Sequence, residues 1–360
     1  MKKKPFKPKD LPLEEKLQIK IKLINKLVKV RLKIKEFDML LERSIVKDMA
    51  ISFFSMNESV QSTKIEGTQA TFLDIIESNL TGKTSDDLQE VKNYIEALEM
   101  GKELLRTYPI STRLFHTLHS ILLKNSRGAN RTPGEFRKIQ NFIGPTNKIE
   151  DATYIPPEPQ NIPELISNLE NYINFNDDES LDPLIKAGIM HAQFESIHPY
   201  LDGNGRLGRV LIMLYLLDSK VISYPSFFIS EELEKNKFKY YSLLNDLRSD
   251  QPKWLPWLEF FLDSAYKQAE KYSEKLSQIE ELYNNAVRYA FDQNIHINYI
   301  DTMFSKIAFT AKDMEKTIDS SYNTINKNIK KLVEGKFIYG DNKQRGTSYH
   351  FYDLLDILRR

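Results

Sequence analysis

Residues 191–209, HAQFESIHPYLDGNGRLGR, decide how this chain is to be understood. Up to His198 the apolar spacing is helical, and Pro199 stops that helix. Gly203-Asn204-Gly205 then makes a loop, and an apolar helix follows from about 205 to 219. Glycines let backbone N–H groups approach an anion closely. The second helix adds free amides and a favourable dipole at its start. Arg206 and Arg209 are three apart, so they share one face of its first turns. Two guanidiniums there oppose the dipole, which makes sense if a di- or triphosphate binds. His198, fixed beside the loop, is a candidate general base for a hydroxyl. Asp202 in the same turn suits Mg²⁺, which bridges phosphate oxygens.

Other readings of the same residues compete. His191, Glu195 and His198 at i, i+4 and i+7 could share a helix face and bind a metal, but the spacing matches no zinc motif and leaves the anion loop unexplained. No Gly-Lys-Ser/Thr is present, so this is not a Walker loop. A helix precedes the glycines where a dinucleotide fingerprint needs a strand.

Outside this stretch the chain is mainly helical. With 41% hydrophobic and 28% charged residues in 360, it can bury a sizeable core. The absence of cysteine excludes a disulfide scaffold, thiolate zinc sites and a cysteine nucleophile. The 51 basic and 50 acidic residues exclude a chain-wide polyelectrolyte. The longest apolar stretch, 210–217, is far short of a span of about 18 residues, so no membrane partner is expected. The basic start, MKKKPFKPKDLP, lacks the apolar run of a signal peptide, and a cytoplasmic location is the expectation.

Residues 1–12 read as a loose arm. Residues 13–49 have the period of a long amphipathic helix, broken near 36–38, that docks on the main body or pairs with a partner helix. Further helices are expected over 51–80 with a break at Gly67, and over 86–108, 111–125, 162–175 and 181–197. Residues 127–159 hold three glycines and five prolines, and a hairpin of 140–143 with 153–155 is the reading. A long helix from about Trp254 becomes highly charged after Lys267 and leaves the core domain. The tail reads as helix 309–318, turn 319–321, helix 322–334 and a hairpin of 337–339 with 349–352, the layout of a winged helix. Asn323, Thr324, Asn326, Lys327, Asn328, Lys330 and Lys331 on its second helix suit a major groove, although such modules also serve docking and dimerisation.

His198-Pro-Tyr-Leu-Asp-Gly-Asn-Gly-Arg-Leu-Gly-Arg209 resembles the Fic family signature HPFxDGNGRxxR, with Tyr200 in place of Phe. Most Fic proteins transfer AMP from ATP to a Ser, Thr or Tyr hydroxyl of a target protein. The resemblance implies an all-α Fic core with a β-hairpin flap over 95–265, an N-terminal helical extension over 1–94, a connecting helix over 266–299 and a winged helix-turn-helix module over 300–360. It implies that His198 deprotonates the target hydroxyl and that Asp202 ligates Mg²⁺. Gly203, Asn204 and Gly205 would form the anion hole, and Arg206 and Arg209 would hold the β- and γ-phosphates of ATP. The flap would align the target by strand pairing. Tyr240 and Tyr241 resemble the tyrosines of the adenine pocket, where an Asn of some relatives is Arg248 here.

Upstream, Ser62-Thr-Lys-Ile-Glu66-Gly67 fits the family's inhibitory motif [ST]xxxE[GN]. Glu66, on an inhibitory helix at about 51–67, would pair with Arg209 and take the γ-phosphate position. De-AMPylation at the same site and self-AMPylation are open, as is a homodimer through 13–49 or the tail. The alternative is a DNA-binding regulator, contacting DNA through 300–360, whose Fic core senses nucleotide.

Overall fold

The computed structural model describes residues 4–13, 21–146, 148–175, 181–341, 343 and 346–359. The described helices begin with α1 (Ile21–Arg43), α2 (Lys47–Ile65), α3 (Phe72–Thr81), α4 (Asp86–Leu104), α5 (Thr112–Leu122) and α6 (Ile162–Phe175). They continue with α7 (Pro183–Ile197), α8 (Asn204–Asp218), α9 (Ser230–Lys235), α10 (Lys237–Leu247) and α11 (Trp254–Asp292). The chain is all-α in class. The tail adds α12 (Ile297–Lys306), β1 (Ala308–Thr310), α13 (Ala311–Glu315), α14 (Tyr322–Glu334), β2 (Tyr339–Gly340), β3 (Ser348–His350) and α15 (Tyr352–Arg359).

α7 and α8 pack against each other at the centre, and both are buried nearly all round. A helix apolar on every side belongs in the interior. Pro183 opens α7 behind Asp182, whose carboxylate accepts from the Leu184 N–H at 2.8 Å. Gly188 lets α11 close on α7: a Cβ there would stand 3.2 Å from Leu258 and Phe261, and Trp257 Nε1 donates to the Gly188 carbonyl at 2.9 Å.

The first long helix breaks later than its sequence suggests. Asp38 does not interrupt α1, because it is buried and accepts from the Ser223 N–H and hydroxyl, both at 2.8 Å. The turn comes at Ser44, whose hydroxyl accepts from the Val46 N–H at 3.2 Å. Residues 14–20, part of the same expected helix, lie outside the described residues. α1 lies along α11, with Lys22 and Lys26 paired to Glu259 and Asp263. Borders expected at 94/95 and 265/266 fall inside α4 and α11.

The expected hairpin reduces to one antiparallel bridge, Ile143 with Tyr154. Prolines 145, 156 and 157 remove ladder donors around it, and a 3₁₀ turn at Ile149–Asp151 takes up the tip. In the tail, helix 309–318 shortens at both ends. Phe309 pairs with Tyr349 in an antiparallel sheet of order β1-β3-β2, and Thr310 caps α13 through a capping box with Asp313. α12 and α15 were not foreseen as separate elements.

Candidate active site

The last turn of α7 ends on His198, held at φ 48 in the left-handed region, with its N–H on the Phe194 carbonyl at 2.9 Å. The chain turns through 199–203 and enters α8 at Gly203, φ 78. Asn204 braces this turn: its Oδ1 accepts from the Tyr200 N–H and its Nδ2 donates to the Tyr200 carbonyl, both at 2.9 Å. Its side chain therefore spends its hydrogen bonds on the loop's shape. Asp202 Oδ1 accepts from the Gly203 N–H at 2.5 Å and meets Arg206 Nη2 at 3.2 Å. The Asp202 carboxylate is 42% exposed, a hard oxygen donor at the loop's rim that fits magnesium.

His119 of α5 supports the loop from below and was missed in the sequence. Its ring stacks on Tyr200 at 3.8 Å between centroids. Nε2 donates to the Asp202 carbonyl at 2.9 Å, and Nδ1 accepts from the Gly134 N–H at 2.8 Å. Burial pushes its pKa down to about 4, so the ring stays neutral.

Arg209 is buried and held on two of its nitrogens. Nε donates to Ser62 Oγ at 2.8 Å, and Nη2 donates to the Ser62 carbonyl at 2.9 Å and to Glu66 Oε1 at 2.7 Å. Burial works to lower its pKa, but Glu66 and the surrounding tyrosines outweigh that and raise it. Glu66 Oε1 lies directly over the glycine loop: a Cβ at Gly205 would stand 2.2 Å from it. The carboxylate thus covers the start of α8 at Gly205. Arg206 is also buried, paired with Asp202 and, at 3.4 Å, with Glu90 of α4. Glu90 in turn accepts from Thr68 and Arg127, another link that the sequence did not disclose.

Beneath the loop, His191 Nε2 meets the Tyr240 hydroxyl at 2.8 Å. Tyr241 is 37% exposed beside the end of α2, with its hydroxyl 3.5 Å from the Ile65 carbonyl. Burial pushes Glu195 up to about 7 and His191 down to about 3. No group of three or more such side chains among the described residues is placed to hold a metal, which removes the His191–Glu195–His198 alternative. Burial first, then Arg248 and Arg137, push the His198 pKa down to about 3, so the imidazole is neutral. Arg248 donates to the Glu195 carbonyl at 3.0 Å and to Asn245 Oδ1 at 3.0 Å.

In the tail, Asn323, Thr324, Lys327 and Lys330 are exposed on α14 and Asn326 is half-buried. Asn328 is buried, and Lys331 donates to the Gln293 carbonyl. Among the described residues no helix is long and apolar enough to cross a membrane.

The Fic/DOC family model matches residues 109–216, and the model of the Fic/DOC family N-terminal region matches residues 24–103. The chain belongs to the Fic family. It is 25% identical over 248 residues to the protein adenylyltransferase Fic of Drosophila mojavensis, covering 65% of this chain and 44% of that one. It is 26% identical over 225 residues to the protein of the same name from Drosophila grimshawi, covering 59% and 41%. The chain thus spans less than half the length of these curated relatives. A Fic family protein from Desulfovibrio desulfuricans shares the fold with a TM-score of 0.60 at 18% identity, over 93% of this chain and 97% of that one. Fic-1 from C. elegans does so with a TM-score of 0.55 at 20% identity, over 71% and 73%.

Proposed function

We propose that this Fic protein transfers AMP from ATP to a Ser, Thr or Tyr hydroxyl of a target protein and that Glu66 holds it inactive. The observation that carries the reading is the Glu66 carboxylate over Gly205 on the buried Arg209 guanidinium. A built-in carboxylate held there by a buried guanidinium supports a phosphate site at the same place, from which Glu66 would have to withdraw before ATP binds productively. His198 then takes the proton of the target hydroxyl. The hydroxyl oxygen bonds to Pα as the Pα–O bond to the β-phosphate breaks, and pyrophosphate departs. The amides of the glycine loop, Arg206 and Arg209 offset the phosphate charge. Asp202 would hold magnesium, which would supply positive charge against the phosphates. The reverse, hydrolytic removal of AMP, uses the same groups with Glu66 orienting water.

With α-labelled ATP, Glu66→Gly is expected to raise labelling of protein well above wild type, and Glu66→Gly with His198→Ala to abolish it. No labelling by Glu66→Gly, with lysate or alone, counts against the reading. The exposed polar and basic face of α14 supports a second role, contact with DNA. A gel shift weakened steeply by salt and lost in Lys327→Ala/Lys330→Ala is the expected result; no shift at low salt removes it.

A further inference from the structure

A helix C-terminus leaves main-chain carbonyls without intrahelical partners. In the last turn of α7, which delivers His198, side chains from other segments take them. Arg248 Nη2, from just past α10, donates to the Glu195 carbonyl at 3.0 Å. The Tyr154 hydroxyl, from the flap, donates to the Ser196 carbonyl. Arg137 Nε, from the segment before the flap, donates to the His198 carbonyl at 3.0 Å. Arg137 also binds both feet of the flap, through Nη1 to the Ile139 carbonyl at 3.4 Å and through Nη2 to the Pro157 carbonyl. The Arg248 guanidinium lies 3.8 Å from the Tyr154 ring centroid, so the pieces also touch one another. Arg137 is 2% exposed, and its guanidinium serves main-chain carbonyls with no carboxylate partner among the described residues. A buried cation held only by carbonyls is an expensive way to fill space.

We infer that Arg137, Tyr154 and Arg248 are positioning residues that act as one unit, fastening the flap to the His198 turn and keeping the imidazole of His198 in register with a strand paired on the flap. The inference rests on the transfer reaction proposed above. Geometrically, the flap cannot shift without pulling on the carbonyls that set the His198 turn. Electrostatically, the two guanidiniums disfavour an imidazolium beside them. The groups that act on the ring are the Arg248 guanidinium past α10, the Arg137 guanidinium before the flap, and the Glu195 backbone on α7 itself, which works in the opposite sense. Burial, Arg248 and Arg137 are, in that order, what lowers the His198 pKa.

The test uses the full chain carrying Glu66→Gly. Tyr154→Phe keeps the ring and removes only the hydroxyl; it is expected to slow self-labelling by about tenfold while the Kd for ATP with magnesium stays within about twofold. Arg248→Gln is expected to raise the His198 titration midpoint by roughly one unit or more, and Arg248→Lys to restore it. That midpoint is followed by NMR of the six histidines, with His198→Ala giving the assignment. Labelling rate and ATP affinity falling by the same factor in Tyr154→Phe would indicate a merely structural role. An unmoved His198 midpoint in Arg248→Gln would likewise overturn the inference. If Glu66→Gly labels nothing, the transfer reading fails, and the titration still decides whether the two cations govern His198.

Discussion

Arg209 shows how much of this site depends on the partners of one buried side chain. Its Nε faces Ser62 Oγ in a buried setting, so Ser62→Ala leaves a buried charged donor unsatisfied. The loss is expected to be about 1–3 kcal/mol of stability, seen as a lowered Tm. The same change loosens the grip that holds α2 against Arg209, so basal labelling should rise, though less than in Glu66→Gly. An unchanged Tm together with unchanged labelling would show that Ser62 Oγ is dispensable. At this scale the sequence disclosed what lies close together along the chain. His198 to Arg209 is one contiguous turn, and Ser62 and Glu66 are one helical turn apart. His119, Glu90, Arg137 and Tyr154 were not legible, because their partners lie 83, 37, 61 and 42 residues away in sequence. No local period marks a side chain whose task is to hold a distant carbonyl.

At the scale of the element, α2 is set by polar residues on its buried face. Glu58 accepts from the Tyr94 hydroxyl at 2.8 Å, from the Ser230 N–H at 3.2 Å and from the Ser230 hydroxyl. It thereby pins α2 to α4 and α9. Glu58→Ala strands all three donors, and a destabilisation of about 3 kcal/mol is expected by denaturant titration. Because α2 carries Glu66, the variant should also label more than wild type; a well-folded variant with unchanged labelling would separate this anchor from inhibition. The helices themselves were readable from apolar spacing, since α4, α5 and α6 bury regular stripes and α7 and α8 are apolar nearly all round. Their ends were less so. Asp38 looks like a breaker until Ser223 is brought to it, and the flap looks like a hairpin until its prolines are placed in the ladder. α15 follows the tail hairpin so closely that its start merged with the strand.

Across the whole molecule, buried ionisable groups set the response to pH. Burial pushes His119 down to about 4, and His191 and His198 to about 3. Unfolded, each binds a proton near 6.5, so their contribution is fully present above about 6.5 and is lost as pH falls towards those folded values. Glu58 and Glu195, raised by burial to about 7, act in the opposite sense: their contribution is present below about 4.5 and is lost as pH rises through 7. Three histidines against two carboxyls leave a net loss towards acid. Tm is expected to fall between pH 6.5 and 4.5, and a Tm that climbs over that range would contradict the assignment.

α11 has a consequence on the same scale. Its 39 residues span about 58 Å at 1.5 Å per residue. Trp257 in its first turn is bonded to α7 at the Gly188 carbonyl, and Tyr289 in its last turn is bonded to α14 through the Lys331 carbonyl at 2.8 Å. An unbroken rod braced by α1 leaves no slack between the two ends. The tail helix α14 is therefore tied to α7 through one stiff member, and a displacement at either end is passed along its length as by a lever rather than absorbed between them.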